Sequence, residues 1–319
     1  MSLPKELEVL QNFFVKQPNP LLGVETIQVL LFREILDFTV LRTEDTRELN
    51  TVITPLSTEN DENVQRVAFL GSKQKAVESR QMERLLRTAA NEADYPIEEC
   101  YLKDYLCLEC PRCALYGGTN ASASKTTNAN IKHRVAYSTA FSLAAFEQIQ
   151  QTTTFNGISD LTVQTGQTLN ERISVKPATI FPSIVTLHSV TWKELILMMK
   201  IILSSHKYGA ESRIGGDVRN TVVGITGGWE EFITPLEFTM ELNSEKEKSL
   251  SAENVTKILN KYKLLLANQK KSVILSPEQV DDMLKFISGF EIDKKFLTKA
   301  YEDVRAYRDV QENSKAKKK

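Results

Sequence analysis

Histidine is scarce in this 319-residue chain, and the three present, His133, His188 and His206, are scattered. A hydrolase needs a nucleophile with a base, or a metal with an open coordination position, and such a chain offers little material for either. His188 alternates with apolar residues as a core histidine would, and His206 falls where a helix should end. The phosphate-cradling Gly-x4-Gly-Lys-Ser/Thr run and the Gly-x-Gly-x2-Gly fingerprint are both absent, which argues against nucleotide-dependent enzymes. We therefore expect no catalytic residue. The strongest apolar run, 195–203, is broken by Lys200 and is far shorter than the roughly 20 residues a membrane span requires. The first residues, Met-Ser-Leu-Pro-Lys-Glu, lack the basic and apolar stretches of a secretory signal, so the expected setting is a reducing cytoplasm, without disulfides.

A large excess of positive charge is missing too. The formal net charge of −1 excludes nucleic-acid binding by bulk electrostatics, but the charge is patchy. Residues 66–135 carry +3 and 172–219 carry +4, whereas 1–65 carry −6 and 136–171 carry −3. Alternation of this kind suits a charged groove on one side and an acidic face that meets a neighbouring basic surface on the other.

The periodicities predict an α+β fold. Strands are expected at 24–31 and 35–42, separated by a charged Arg33-Glu34 break, then a polar loop over 50–63 and a short strand at 64–70. Ser72 is placed to cap a helix over 73–90 whose polar side bears Lys73, Lys75 and Arg80. A Gly/Ser/Thr/Asn-rich loop at 117–130 precedes a strand at 131–137, and Gly166 marks a hairpin. The clearest unit lies at 180–226. A strand over 180–190 runs into the capping box Thr191-x-x-Glu194, which should open a helix to about 205; the glycine loop 213–219 and a strand at 220–226 follow. Helices are expected over 252–267, capped by Ser251, and after the Ser276-Pro-Glu-Gln279 box.

All four cysteines fall within fourteen residues as Cys100-x6-Cys107-x2-Cys110-x2-Cys113. Zinc takes four soft ligands in a tetrahedron, and Cys-x2-Cys turns let thiolates converge on one ion. An iron–sulfur cluster uses similar runs, and unliganded or redox thiols are a further alternative. His133 can stand in for one cysteine. Whichever metal binds, four protein ligands leave no open position, so the site would be structural, stiffening a loop that presents Arg112 to an anionic partner.

Cys107-Leu-Glu-Cys-Pro-Arg-Cys-Ala-Leu-Tyr-Gly117, together with Ala210-Glu-Ser-Arg-Ile-Gly-Gly216 after a buried helix, resembles the backbone subunits of type I-D CRISPR interference complexes, members of the repeat-associated RNA-binding superfamily. The resemblance runs from about residue 24 to 228. It implies a ferredoxin-like, RNA-recognition-type palm with long insertions, one a zinc-binding loop and another a thumb-like hairpin, followed by C-terminal helices. The implied organisation is a first part of the palm at 1–72, an insertion region at 73–180, and the second part with C-terminal helices at 181–319. It further implies copies stacked along guide RNA, held for pairing with target nucleic acid, among other CRISPR effector subunits. Arg213, Gly215 and Gly216 match the family's glycine loop near the RNA backbone. Arg33, Arg42, Lys73, Lys75, Arg80, Lys125, Lys132, Arg134 and Arg219 are expected contacts by position alone. Two other readings stay open, a target-cleaving nuclease using Asp37, Asp45 or Asp217 and a zinc-stapled protein-interaction module.

Overall fold

The computed structural model describes residues 1–42, 48–102, 105–120, 130–158, 165–210, 215–244 and 250–316. After a 3-10 helix at Lys5–Phe13, β1 (Thr26–Ile35) runs unbroken through Arg33-Glu34. The charged pair does not interrupt the strand because Arg33 finds an anion inside the protein. Past Ile35 the chain leaves the sheet, so the strand expected at 35–42 is replaced by an irregular segment with a single bridge, Thr39 to Val175. A hairpin follows, β2 (Thr51–Pro55) and β3 (Asn63–Phe69), and β2 occupies part of the expected loop. The chain enters α1 (Gly71–Glu92) from Leu70 without a side-chain cap, so Ser72 does not play that part. Gly71 is dictated by contact, since a Cβ there would lie 2.2 Å from the Tyr137 carbonyl oxygen.

The cysteine segment contains α2 (Pro111–Tyr116), leading to the paired β4 (Gly118–Thr119) and β5 (Asn130–Ile131). Next come β6 (Val135–Tyr137), β7 (Ala140–Phe141), the single turn α3 (Phe146–Ile149), and the long hairpin of β8 (Gln150–Ile158) and β9 (Thr165–Val175). The strand–helix–strand unit is present as β10 (Ile180–His188), α4 (Trp192–Ser204) and β11 (Val218–Gly228). The Thr191/Glu194 capping box forms at both of its hydrogen bonds. The C-terminal part comprises α5 (Pro235–Ser244), α6 (Ala252–Lys263), β12 (Val273–Ile274), α7 (Pro277–Gly289) and α8 (Lys294–Ala316), with the Ser276/Gln279 box opening α7.

Five strands form the main sheet in the order β12-β11-β1-β10-β6, every neighbour antiparallel. Without the short β12, the order is last, first, third, second, with α1 in the connection before the second strand and α4 between third and last. Apolar residues of β1 point both ways. Ile27, Val29 and Leu31 pack with α4, α1, α7 and α8, while Leu30 and Phe32 pack with α5 and α6. In α4, Leu195, Ile196, Leu197, Met198, Met199, Ile201 and Ile202 are all fully buried, each contributing about 1.5–3 kcal/mol relative to exposure. A third cluster, with Phe69, Phe181 and Tyr208, fills the space under the small sheet β2-β3-β7.

Candidate metal centre and nucleic-acid face

Local backbone chemistry gathers the four thiols. Cys110 is the N-cap of α2, with Pro111 in the first turn, and its Sγ accepts the Cys113 N–H at 3.4 Å. A helix in this segment was not expected from the sequence. Leu108 takes φ +60° to close the Cys107–Cys110 turn, letting the Glu109 N–H reach Cys107 Sγ at 3.4 Å. Gly117 ends the helix at φ +74°, a region that favours glycine, and a Cβ there would meet the backbone nitrogen of His133 at 2.8 Å. Cys100 is brought over by Arg87, whose Nη2 donates to the Cys100 carbonyl at 2.8 Å.

The four Sγ atoms all lie within 4.8 Å of one another. Cys100 and Cys113 are 3.6 Å apart, and Cys100 and Cys110 3.9 Å. A tetrahedral ion with zinc–sulfur bonds of about 2.3 Å sets its sulfurs about 3.8 Å apart, so the donor set fits one ion. Cys100 completes the set, whereas His133 is exposed and lies outside the sulfur cluster. Hydrogen bonds from Cys100, Cys107 and Cys110, aided by Arg112, hold the Cys113 thiol well below its ordinary value, whereas Cys110 is pushed up by its bonds to the other cysteines.

The basic residues divide sharply. Arg33, expected to face RNA, is fully buried: it pairs with Glu78 at 2.8 Å and donates to Tyr208 Oη and Asn220 Oδ1. Glu78 also accepts from Tyr137 at 2.6 Å and Tyr208 at 2.8 Å. Arg134 is equally enclosed. Its guanidinium pairs with Glu194 and donates to the Ala114 and Ser189 carbonyls, clasping α2 to the start of α4. Arg112 is only 4% exposed and points at Ser79 and Cys113. These three are drawn inside because each meets an anion, a sulfur or a carbonyl there, so none presents a guanidinium to an external phosphate.

Arg80, Lys132 and Arg219 are exposed, Arg219 in an ion pair with Glu34; Arg42, Lys73 and Lys75 are half-buried. Lys75 and Lys132, after burial itself, hold the His133 pKa below its ordinary value, so three basic groups converge near α1 and β6. Lys125, Arg213 and Asp45 lie outside the described residues. Gly215 and Gly216 form a turn at φ +72° and +59°, their carbonyls accepting from Gly209 and Tyr208. The turn rests on the irregular segment after β1, the Ala210 N–H donating to the Val40 carbonyl. That same segment bridges to Val175 at the base of the β8–β9 hairpin. Asp217 is tied to Lys207, and Asp37 accepts the Phe38 N–H.

Sequence reasoning missed Glu78 and its tyrosines. The signal was there: Glu78 shares a helical stripe with Met82 and Leu86, where a carboxylate calls for a buried cation.

Compared with known families, residues 13–304 match the model described as Csc2 Crispr. The chain belongs to the Csc2 CRISPR family. No curated protein matches it. The crystal structure of Thermofilum pendens Csc2 superposes with a TM-score of 0.61 at 17% identity, covering 95% of this chain and 97% of that one, so the fold of that Csc2 is shared. A CRISPR RNA-guided surveillance complex matches at 10% identity and a TM-score of 0.49, over 82% of this chain and 100% of that one. The match to the Csc2 family thus spans β1 through the first half of α8, taking in the sheet, the cysteine cluster and the hairpin.

Proposed function

We propose that this Csc2-family chain is a non-catalytic, guide-RNA-binding backbone subunit of a type I-D CRISPR effector complex, working in the cytoplasm. The family match over residues 13–304 carries the reading. The last-first-third-second strand order with helices α1 and α4 supports a ferredoxin-like palm, and the β8–β9 hairpin a thumb. In this organisation 1–72 opens the palm, 73–180 is the insertion region, which also lends α1 and β6 to the palm, and 181–319 completes it. Copies polymerise along the guide, using phosphate and sugar contacts that leave bases free to pair with target nucleic acid. Exposed Arg80, Lys132 and Arg219, with Lys75, the glycine turn and Arg213, supply those contacts. Other effector subunits are the remaining partners.

Zinc held by Cys100, Cys107, Cys110 and Cys113 would brace the insertion and supply no chemistry, since four thiolates fill its coordination. The test is co-expression with a CRISPR array and its neighbouring genes, followed by the 260/280 nm absorbance ratio and sequencing of any bound nucleic acid. A large complex holding uniform guide RNA is the expected result; clean monomer without nucleic acid would refute the reading. Cleavage of a paired target at regular spacing, lost on one aspartate substitution, would overturn the non-catalytic part.

A further inference from the structure

A closed centre of four thiolates around a divalent cation carries a net charge of −2, and here three of the four side chains are almost wholly buried, Cys113 at 0%, Cys110 at 5% and Cys100 at 6% exposure, while Cys107 is half-buried. Buried anionic charge is costly unless hydrogen bonds or opposite charge offset it. Two backbone donors help, the Glu109 N–H on Cys107 and the Cys113 N–H on Cys110, both at 3.4 Å. Arg112 adds a charged donor from a side chain. Its Nη1 lies 3.8 Å from Cys113 Sγ, within reach of a long N–H···S bond, while Nε donates to Ser79 Oγ at 3.0 Å. Ser79 is itself buried in α1, so the guanidinium is aimed from two ends.

From this geometry we infer that Arg112 is a positioning residue of the metal centre, donating to the Cys113 sulfur and balancing the centre's charge, with Ser79 fixing its direction. The inference rests on the proposal that the four cysteines hold zinc. It reassigns the arginine next to the motif from the RNA face to the inside of the site. It also links α1 to the centre, since the helix that supplies Ser79 also carries exposed Arg80. Groups that orient metal ligands typically contribute 10–100-fold to metal affinity.

The test uses the full-length protein with its native metal, comparing wild type, Arg112→Gln, Arg112→Lys, Ser79→Ala and Cys110→Ser. Zinc per chain, the rate of zinc transfer to a chromogenic chelator, and the sulfur-to-cobalt charge-transfer band of the cobalt-substituted protein are measured. Arg112→Gln is expected to release zinc roughly 10–100-fold faster and to move the band to lower energy, because a thiolate without its donor gives up electron density more readily. Arg112→Lys should restore part of both effects. A role confined to packing would lower the melting temperature and leave the band in place. Stoichiometric zinc in wild type with unchanged release and band position in Arg112→Gln would overturn the inference while leaving the zinc proposal standing. If Arg112→Gln does not accumulate, Ser79→Ala carries the same comparison. Wild type that holds no more zinc than Cys110→Ser would overturn the zinc proposal, and this inference with it.

Discussion

Removing Glu78 strands a cation that the fold has no means to discharge. Arg33 is fully buried, its Nη2 2.8 Å from Glu78 Oε1, and a guanidinium stays protonated at any practical pH. Breaking a buried pair by deleting one partner typically costs about 3–5 kcal/mol, and Glu78→Leu additionally leaves the Tyr137 and Tyr208 hydroxyls without their acceptor. At about 2–4 °C per kcal/mol for a chain somewhat smaller than this one, the melting temperature should fall by roughly 6–20 °C. The reverse deletion, Arg33→Met, is expected to be milder. Glu78 would keep the Tyr137 and Tyr208 hydroxyls as donors. The double variant Arg33→Met/Glu78→Leu should regain at least 2 kcal/mol over Glu78→Leu alone, on the order of the coupling seen in such pairs. Differential scanning calorimetry with urea titrations of the four proteins closes the cycle. Additive single-variant losses would refute the claim that the ion pair, rather than packing, makes this site sensitive.

Three further outcomes follow from the placement of the charges and from the glycine turn. Lys132→Ala and Arg80→Ala should each reduce the slope of log K against log salt for guide RNA by about 0.7 without altering thermal stability, while Arg33→Met and Arg134→Met should lower stability; a uniform change in slope across all four would contradict the inside–outside division. Gly216→Ala should lose about 1–3 kcal/mol from backbone strain at φ +59°, and more from contact, since the new Cβ would lie 2.7 Å from Gly209 Cα; an unchanged unfolding midpoint would show that the turn can rearrange. His133, held below its usual pKa of 6.5 by burial, Lys75 and Lys132, is neutral in the free protein at neutral pH. Its folded-state value lies below the unfolded one, so its contribution to stability is present above pH 6.5 and lost as pH falls through that range. A phosphate nearby reverses the preference, so RNA affinity should rise on acidification, with proton uptake that disappears in His133→Asn; equal proton uptake by the variant in calorimetry at two buffer ionisation enthalpies would refute this.

What was legible in the sequence is what local rules govern. Two capping boxes and the Ser251 cap placed the starts of α4, α7 and α6, each confirmed by its hydrogen bonds, and cysteine spacing named the four sulfurs that meet. The errors trace to long-range compensation. Arg33-Glu34 looks like a strand break until Glu78, far along the chain, supplies the counter-charge that lets β1 continue. A basic residue at a strand end or beside a cysteine looks like a ligand contact until its partner is known, which is how Arg112 and Arg134 were drawn to the RNA side. The short α2 was hidden because its cap is a thiol, Cys110, rather than a hydroxyl or carboxylate. Helix α5 starts at Pro235 behind Thr234, whose hydroxyl and Glu237 form a reciprocal capping pair, a signal that the Thr-Pro-x-Glu spacing also carries.

The order of the strands also sets a timetable for synthesis. Thr26 at the start of β1 pairs with His188 on one side and Gly228 on the other, so the central strand leaves the ribosome long before either partner exists. His188, the earlier partner, follows Thr26 by 162 residues, so at translation rates of 5–20 residues per second the wait lasts roughly 8–30 s. Throughout that interval the segment Thr-Ile-Gln-Val-Leu-Leu-Phe-Arg-Glu-Ile is an apolar, strand-prone ribbon with both hydrogen-bonding edges open, the kind of segment that seeds aggregation. Shielding these ten nascent residues until a partner strand arrives is therefore a requirement separate from the stability of the finished fold.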